Sequence, residues 1–559
     1  MSNTTQTLPT TQYAVQLVGP NQLEINREKE VFQPGPHQLL AKVEAVGLCF
    51  SDLKLLKQFG DHPRKSGIVG GLTAEILAQI PSYVPGGKAT VPGHEVTCRI
   101  VAVGEQVEHH KVGERCLVQT DYRGLPTDNS NAAFGYNFEG ALQEYVLLDE
   151  RVILDHETGE RYLIPVPEEL SASAIALVEP WACVEDSYVN VERQTLKAGG
   201  KLAVVVDAGH EVEGLEELVA ANTPASVTAI GEASQALQGL GITVQEATDV
   251  NALPDAGLDD IIYFGTDKKT IETLNDKLAA RGIINVVTGG RKIGEPVSVG
   301  VGRVHYGMTR WIGTTGTNAA ESYRNVPLTG ELRPDDKVVV IGAGGPMGQM
   351  HVIRSVCAGI SGTSVVAVDF DDARLESLHK KAAPLAQTNG VELQMVNPKQ
   401  SPLDEKFSYF ALMAPVGQLV ADAVRDSLEG SLINIFAGIP AAVRQEIDLD
   451  TYIAHRCFMF GTSGSVIEDM KIVLRKVASG QLDTNTSVDA IAGMAGATDG
   501  IAAVENRTLA GKIVVYPMLH DVGLIPLVEM EQHFPTVAAK LDNGSWCRED
   551  EQELLRVAG

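Results

Sequence analysis

The sequence predicts an α/β protein: a mostly-β lobe and two doubly wound parallel sheets in tandem. Three observations lead there. Up to about residue 150, short β-rich pieces alternate with Gly, Pro and Asn. From about residue 200, strand and helix patterns alternate, as they do around a parallel sheet covered on both faces. That alternation then repeats. R-G-I-I-N-V-V-T-G-G at 281–290 is echoed by G-S-L-I-N-I-F-A-G-I at 430–439. H-Y-G-M-T-R-W-I-G-T-T-G-T at 305–317 is echoed by Y-I-A-H-R-C-F-M-F-G-T-S-G-S at 452–465. The offset is 149 residues between Asn285 and Asn434 and 148 between Gly313 and Gly461. The expected boundaries are 1–196 for the β lobe, 197–328 for the first α/β copy and 329–476 for the second. Residues 477–559 return to the lobe and end in a helical cap.

Composition narrows the function classes. The 559 residues favour several domains, and 44% hydrophobic with 21% charged residues is ordinary for a globular chain. Lys and Arg total 45 against 72 Asp and Glu, a formal charge of −27. Nucleic acid and anionic membranes are therefore not expected partners, since phosphate surfaces attract basic proteins. The seven cysteines, at 49, 98, 116, 183, 357, 457 and 547, form no close pairs. That suits a reduced, cytoplasmic chain better than a disulfide framework. The N-terminus, M-S-N-T-T-Q-T-L-P-T-T, has neither a basic nor an apolar leader region, so no signal peptide is expected. No apolar run reaches the ~18 residues of a membrane-spanning helix.

The lobe begins with strand candidates at 13–18, 23–26 and 39–46, followed by G-L-C-F-S-D at 47–52. Residues 60–92 are rich in Gly and Pro and read as a surface excursion with a helical piece at 74–80. P-G-H-E at 92–95 leads into a strand at 96–103, and further strands are expected at 115–119 and 142–148. Residues 170–191 are helical in pattern and contain V-E-P-W-A-C-V at 178–184. In the first α/β copy, strands are expected at 201–206, 227–230, 242–245, 260–264 and 283–287. The tail, 518–559, is amphipathic and acidic, with Trp546, Leu554 and Leu555 as expected anchors.

The second copy opens with the stretch that organises the chain. Val338 to Ile341 run without alternation, as in a strand buried on both faces. Gly342, Gly344, Gly345 and Gly348 follow, with Pro346 and Met347 between them. A helical pattern begins at Pro346, with Met350, Ile353 and Val356 on one face, and a second strand at 365–368 ends in Asp369. Such a turn lets backbone approach a pyrophosphate at a helix N-terminus, and the acid can accept from a ribose hydroxyl. This is a Rossmann-type dinucleotide fingerprint. The equivalent turn of the first copy reads V-V-V-D-A-G-H-E-V-E-G at 204–214. Asp207, Glu211 and Glu213 would face a pyrophosphate with like charge, so no dinucleotide is expected there.

Cys49, His94, Glu95 and Glu179 come from three separated segments, each near a turn. Thiolate, imidazole and carboxylate are ligands of Zn²⁺, and three protein ligands leave a position open. Asp52 is placed to orient a ligand, and the Ser51 hydroxyl could pass a proton. A structural zinc would want four close cysteines. Apart from Cys49 and Cys183, only Cys98 and Cys116 fall in this lobe, so none is expected.

G-L-C-F-S-D, V-P-G-H-E, V-E-P-W and the glycine turn followed by V-V-A-V-D together resemble the zinc-dependent medium-chain alcohol/polyol dehydrogenase family. G-Y-N-F-E-G at 135–140, G-G-P-M-G at 344–348, N-I-F-A-G at 434–438 and F-G-T-S-G-S at 460–465 are most similar to its L-sorbose-1-phosphate reductase-type members. The resemblance implies a GroES-like catalytic lobe beside the Rossmann-type sheets. It implies zinc on Cys49, His94 and either Glu95 or Glu179, with Ser51, Asp52 and His94 in the catalytic set. It implies NAD, favoured over NADP by Asp369, on the turn from Gly342 to Gly348. The implied activity is hydride transfer to or from a polyol, sugar or sugar phosphate by a homo-oligomer. Two departures stand out. The first copy, about 197–328, is an addition to the family pattern, and in register with P-M-G the first fingerprint position is Ala343, with Gly342 just before it. The rival readings are a non-enzymatic NAD-binding sensor or scaffold and a zinc-free quinone or enone reductase.

Overall fold

The computed structural model describes residues 8–155 and 158–559, so most of the stretch read for a leader lies outside the described residues. Met1–Cys183 with Ser465–Gly559 form one compact unit, and Val184–Gly464 the other. No helix among the described residues is long and apolar enough to cross a membrane.

The first unit is built on strand Gln38–Gly47, whose Leu39, Ala41 and Val43 are buried. It pairs antiparallel with Glu95–Val103, with Tyr145–Asp149 and, at its end, with Lys512–Val515. Arg115–Val118 and Leu163–Pro165 extend the sheet on one side, and Val488–Ala492 and Ile525–Pro526 on the other. The C-terminal segment therefore supplies strands to the lobe that the N-terminal segment begins. Cys98 faces Cys116 across two paired strands, both buried and free. Burial pushes the Cys116 thiol up to about 12, which leaves it inert.

Two local expectations change. The helix expected over 170–191 is broken into Ala172–Ala176 and Val178–Val189. In the tail, Trp546 and Leu554 are buried but Leu555 is 40% exposed. Glu551 is the tie that sequence patterning missed. Its carboxylate accepts from the N–H groups of Ala172 and Ser173 (2.6 and 2.8 Å) and from the Tyr516 hydroxyl (2.9 Å). It thereby holds the terminal helix Arg548–Ala558 against the start of Ala172–Ala176.

The second unit holds two six-stranded parallel sheets of the same order. The first runs Val244–Glu246, Ser226–Gly231, Lys201–Val206, Leu258–Phe264, Leu278–Val287, Arg310–Thr314. The other runs Glu392–Val396, Ser364–Val368, Lys337–Ile341, Phe407–Leu412, Ser427–Ile435, Phe458–Phe460. In each, the first strand in sequence is central and the order reverses beside it, the arrangement that opens a crevice at the strands' carboxyl ends.

The two compact units divide at 183/184 and 464/465. Hydrogen bonds account for both positions. Ser187 Oγ accepts from Asn434 (3.0 Å), the Tyr188 hydroxyl meets His351 Nδ1 (2.9 Å), and Glu185 pairs with buried Arg354 (3.0 Å). At the other boundary, the Ser465 carbonyl accepts from Arg123 (3.0 Å), and Lys471 pairs with Glu160 (3.0 Å).

Candidate functional site

Three of the four candidate metal ligands converge at one end of the central strand pair. Cys49 ends the loop after Gln38–Gly47 and caps helix Phe50–Gln58; His94 and Glu95 stand where strand Glu95–Val103 begins. One ligand atom each from Cys49, His94 and Glu95 lie within 4.8 Å of one another. Gly47 makes room for this: a Cβ there would fall on Glu95 Oε2.

A single carboxylate organises the thiol and the imidazole. Asp52 Oδ2 accepts from the Cys49 backbone N–H (3.1 Å), and Oδ1 lies 3.1 Å from His94 Nδ1. That contact turns Nε2 toward the cluster, where Ser51 Oγ lies 3.0 Å from it and 3.1 Å from Cys49 Sγ. Burial disfavours a charged His94, but Asp52, with Tyr136 and Cys49 beside it, outweighs this and raises the imidazole's pKa well above the usual range. Glu179, on helix Val178–Val189, joins the same electrostatic cluster. Burial raises its carboxyl to about 7; Glu95 adds to the rise, while His94, Lys512 and Arg64 oppose it.

Lys512 is the group that sequence reasoning missed. Its ammonium is buried and donates to Glu95 Oε1 (2.5 Å) and to the Leu48 carbonyl (2.7 Å). Glu95 Oε2, also buried, has no hydrogen-bond partner. An ionised oxygen left unpaired in the interior costs several kcal/mol unless something positive meets it. The Cys49 sulfur, a His94 nitrogen and a Glu95 carboxylate oxygen form a donor set that fits a divalent zinc-type cation. Tyr136, from the G-Y-N-F-E-G stretch, walls the cluster. Its ring lies 5.8 Å from His94 and 5.0 Å from His62, with the Arg64 guanidinium 5.7 Å from its centre.

The glycine turn of the second copy divides its tasks by position. Gly342 has φ +86°, the left-handed conformation that the tight turn after Lys337–Ile341 requires. Gly342 stands one residue before Ala343, the position in register with P-M-G. A Cβ at Gly348 would fall on the Gly342 carbonyl, so this glycine lets helix Pro346–Cys357 press on the strand. Gly345 is different. It is the helix N-cap, its φ of −82° is ordinary, and a Cβ there would meet nothing within 4 Å. That open space at a helix N-terminus is where an anion can approach. Pro346 starts the helix and Met347 follows, both half-buried at its mouth. Asp369 accepts from the N–H groups of Gly344 (2.9 Å) and Asp371 (3.1 Å) and keeps spare acceptor capacity.

The first copy's turn is closed by its own side chains. Asp207 Oδ2 accepts from the Tyr263 hydroxyl (2.5 Å), Glu213 from the Thr317 hydroxyl (2.7 Å), and the Gly209 N–H bonds Glu232 (3.2 Å). The helix that follows, Leu215–Ala221, starts at Gly214, where a Cβ would fall on Asn318. Two of the three expected carboxylates are thus engaged within the copy rather than lining an open turn.

Residues 35–157 match the family model described as the alcohol dehydrogenase GroES-like domain. The chain is 30% identical over 182 residues to (R,R)-butanediol dehydrogenase of Bacillus subtilis, covering 30% of this chain and 44% of that protein. It is 24% identical over 342 residues to mannitol-1-phosphate 5-dehydrogenase of Aliivibrio fischeri, covering 55% of this chain and 75% of that protein. Among solved structures, a putative alcohol dehydrogenase from Sinorhizobium meliloti aligns with a TM-score of 0.49 at 12% identity, covering 91% of this chain and 100% of that chain. The chain spans about half the length of the first curated relatives it matches. The fold thus combines a GroES-like lobe with two Rossmann-type sheets.

Proposed function

We propose that this chain is a zinc-dependent oxidoreductase that moves a hydride between NAD(H) and a polyol or ketose, a sugar or a sugar phosphate. One observation carries the reading: Asp52 holds both Cys49 and His94 beside the unpartnered Glu95 Oε2. Cys49, His94 and a carboxylate, Glu95 or Glu179, are the groups that would hold the metal. When bound, zinc supplies Lewis acidity at a substrate oxygen and the nicotinamide supplies the hydride chemistry.

The chain's own residues do the rest. Asp52 fixes the tautomer and orientation of His94, leaving Nε2 as the ligating nitrogen. Ser51 Oγ is the hydroxyl that takes the substrate proton and hands it outward. Lys512 supplies a positive charge beside the Glu95 carboxylate. Gly345 and the N–H groups opening helix Pro346–Cys357 receive the pyrophosphate, and Asp369 the ribose diol. The backbone after the strand ends Ile435 and Phe460, at Ala437, Gly438, Gly461 and Thr462, receives the nicotinamide half. The phosphorylated members of the substrate class are supported by Arg64, which lies over Tyr136 with its ion-pair partner Asp121 3.9 Å away. The relatives named for butanediol and mannitol 1-phosphate support an alcohol-bearing substrate. Metal analysis of the purified protein, with NADH formation measured across polyols and their phosphates, tests this. About one zinc per chain and turnover of a member of the panel are expected; full activity in a metal-free preparation would refute it.

A further inference from the structure

The two α/β copies do not merely follow one another; they pair through equivalent surfaces. Strand Val297–Val299 runs antiparallel to Gln445–Ile447, with Val297 opposite Ile447, Ser298 opposite Glu446 and Val299 opposite Gln445. Glu446 lies 148 residues after Ser298, the offset of the repeat, so Ser298 faces its own counterpart. That is the signature of a local two-fold axis.

Contacts on either side of the axis are reciprocal. Gly313 packs on Ile453, where a Cβ would lie 2.8 Å from Cγ1, and Gly461 packs on His305, where a Cβ would lie 3.0 Å from Cα. Gly313 and Gly461 are equivalent, and so are His305 and Ile453. The Gly302 N–H donates to the Val443 carbonyl (3.2 Å), while Asp450, the counterpart of Gly302, accepts from the N–H groups of Ile293 and Gly294 (2.9 and 2.8 Å). Buried apolar residues of both copies form one continuous core.

The symmetry breaks at one functional point. The Tyr306 hydroxyl lies against Gly438, where a Cβ would be 2.6 Å from it. Gly438 stands in the loop after strand Ser427–Ile435, at the carboxyl end where the dinucleotide-binding copy takes a ligand. Tyr306 belongs to the other copy. Its counterpart is Ala454, and the counterpart of Gly438 is Gly289, which has His210 of its own turn as neighbour. The aromatic ring is therefore delivered in one direction only, from the copy with the closed turn to the copy with the open one. His305 supports it, with its ring edge-on to Tyr306 at 4.7 Å and Nδ1 3.2 Å from the Ile435 carbonyl.

We propose that the first copy is a built-in partner for the second. It covers the face of the second copy at the local two-fold axis, and it completes that copy's cofactor site by placing Tyr306 on the loop at Gly438. This rests on the second copy being the NAD site. Association with further chains then uses surfaces other than this one.

Two measurements on the full-length protein test it. Tyr306→Ala should weaken NADH binding about tenfold in a fluorescence titration while AMP, which lacks the nicotinamide half, binds as before. Tyr306→Phe should recover most of the loss. Equal weakening of both ligands would mark a merely structural role, and unchanged NADH affinity would remove Tyr306 from the site; either overturns the proposal. Absence of NADH binding by the unsubstituted protein would instead sink the reading on which it rests. In the second measurement, Ser298→Cys with Glu446→Cys is treated with a short bismaleimide, each single variant serving as control. A link at single-chain mass is expected, and one at twice that mass would show the face engaging a second chain.

Discussion

Gly345 offers the sharpest separation of binding from folding. Its φ of −82° and ψ of 166° lie in the extended region typical of helix N-caps, and a Cβ would meet nothing within 4 Å. Gly345→Asp should therefore fit without strain. Aspartate is a good N-cap and carries the charge that a helix N-terminus favours. The fold should gain roughly 0.3–1 kcal/mol at most. A bound pyrophosphate reverses the sign. A carboxylate ~4 Å from a phosphate charge, at an effective dielectric near 20, costs about 4 kcal/mol, which is roughly a thousandfold in affinity. The side chain also takes up the N–H groups that the phosphate needs. The assay is NADH titration beside thermal unfolding. Expected is an unfolding midpoint equal to or above that of the unsubstituted protein, with NADH binding lost. Gly345→Asn keeps the cap without the charge and should lose less. NADH affinity within about threefold of the original in Gly345→Asp would refute the placement of the phosphate. Gly348→Ala, three residues on, should give the opposite signature. Its Cβ would fall on the Gly342 carbonyl, so stability drops first.

Cys49→Ala and His94→Ala should each remove the zinc and the activity while the far-UV circular dichroism persists; metal content by plasma emission checks this. The unsubstituted protein should prefer NAD to NADP in kcat/KM, and Asp369→Ala should weaken or reverse that preference, since a carboxylate repels a 2′-phosphate. Equal use of the two cofactors by the unsubstituted protein would contradict it. Replacing both Glu211 and Glu213 by alanine should leave NADH affinity unchanged and calorimetry at one site per chain; two sites would mean that the copies have been assigned the wrong way round.

Much of this was legible because the deciding signals are local. Four apolar residues, four glycines, a helical pattern and an acid fall within 338–369, and the structure closes them into one turn. Cys49 and the His94–Glu95 pair were readable from their motifs, and adjacent antiparallel strands bring them together. What was not legible arrives from far along the chain. Lys512 reaches Glu95 from 417 positions away, carried by a strand whose pairing with Gln38–Gly47 no local pattern announces. Leu555 shows the limit of reading anchors by hydropathy alone. The terminal helix is held partly by Glu551, a charged residue whose two oxygens fit two free N–H groups and a phenol. Tyr306 was invisible for a further reason: its contact with Gly438 depends on the axis relating the copies, which no single copy's sequence contains.

The closed turn of the first copy follows from the same axis. If, as proposed, the first copy takes no dinucleotide, its turn has no need to keep backbone N–H groups open for a phosphate. Glu232 accepts from the Gly209 N–H, while the Asp207 and Glu213 carboxylates are taken up by the Tyr263 and Thr317 hydroxyls. The surfaces near the axis carry the opposite constraint. Gly313 and Gly461 admit no Cβ without moving a backbone carbonyl or the facing copy, so both remain glycine in copies that otherwise differ. If the first copy were only a spacer, its pairing face could have drifted as far as its turn. The repeat is instead retained at the strand Val297–Val299, which pairs with its counterpart, and at Gly313, while Tyr306, where the counterpart is Ala454, is particular to the first copy. The pattern of what is kept and what is lost thus matches a domain whose task is to hold the other in shape.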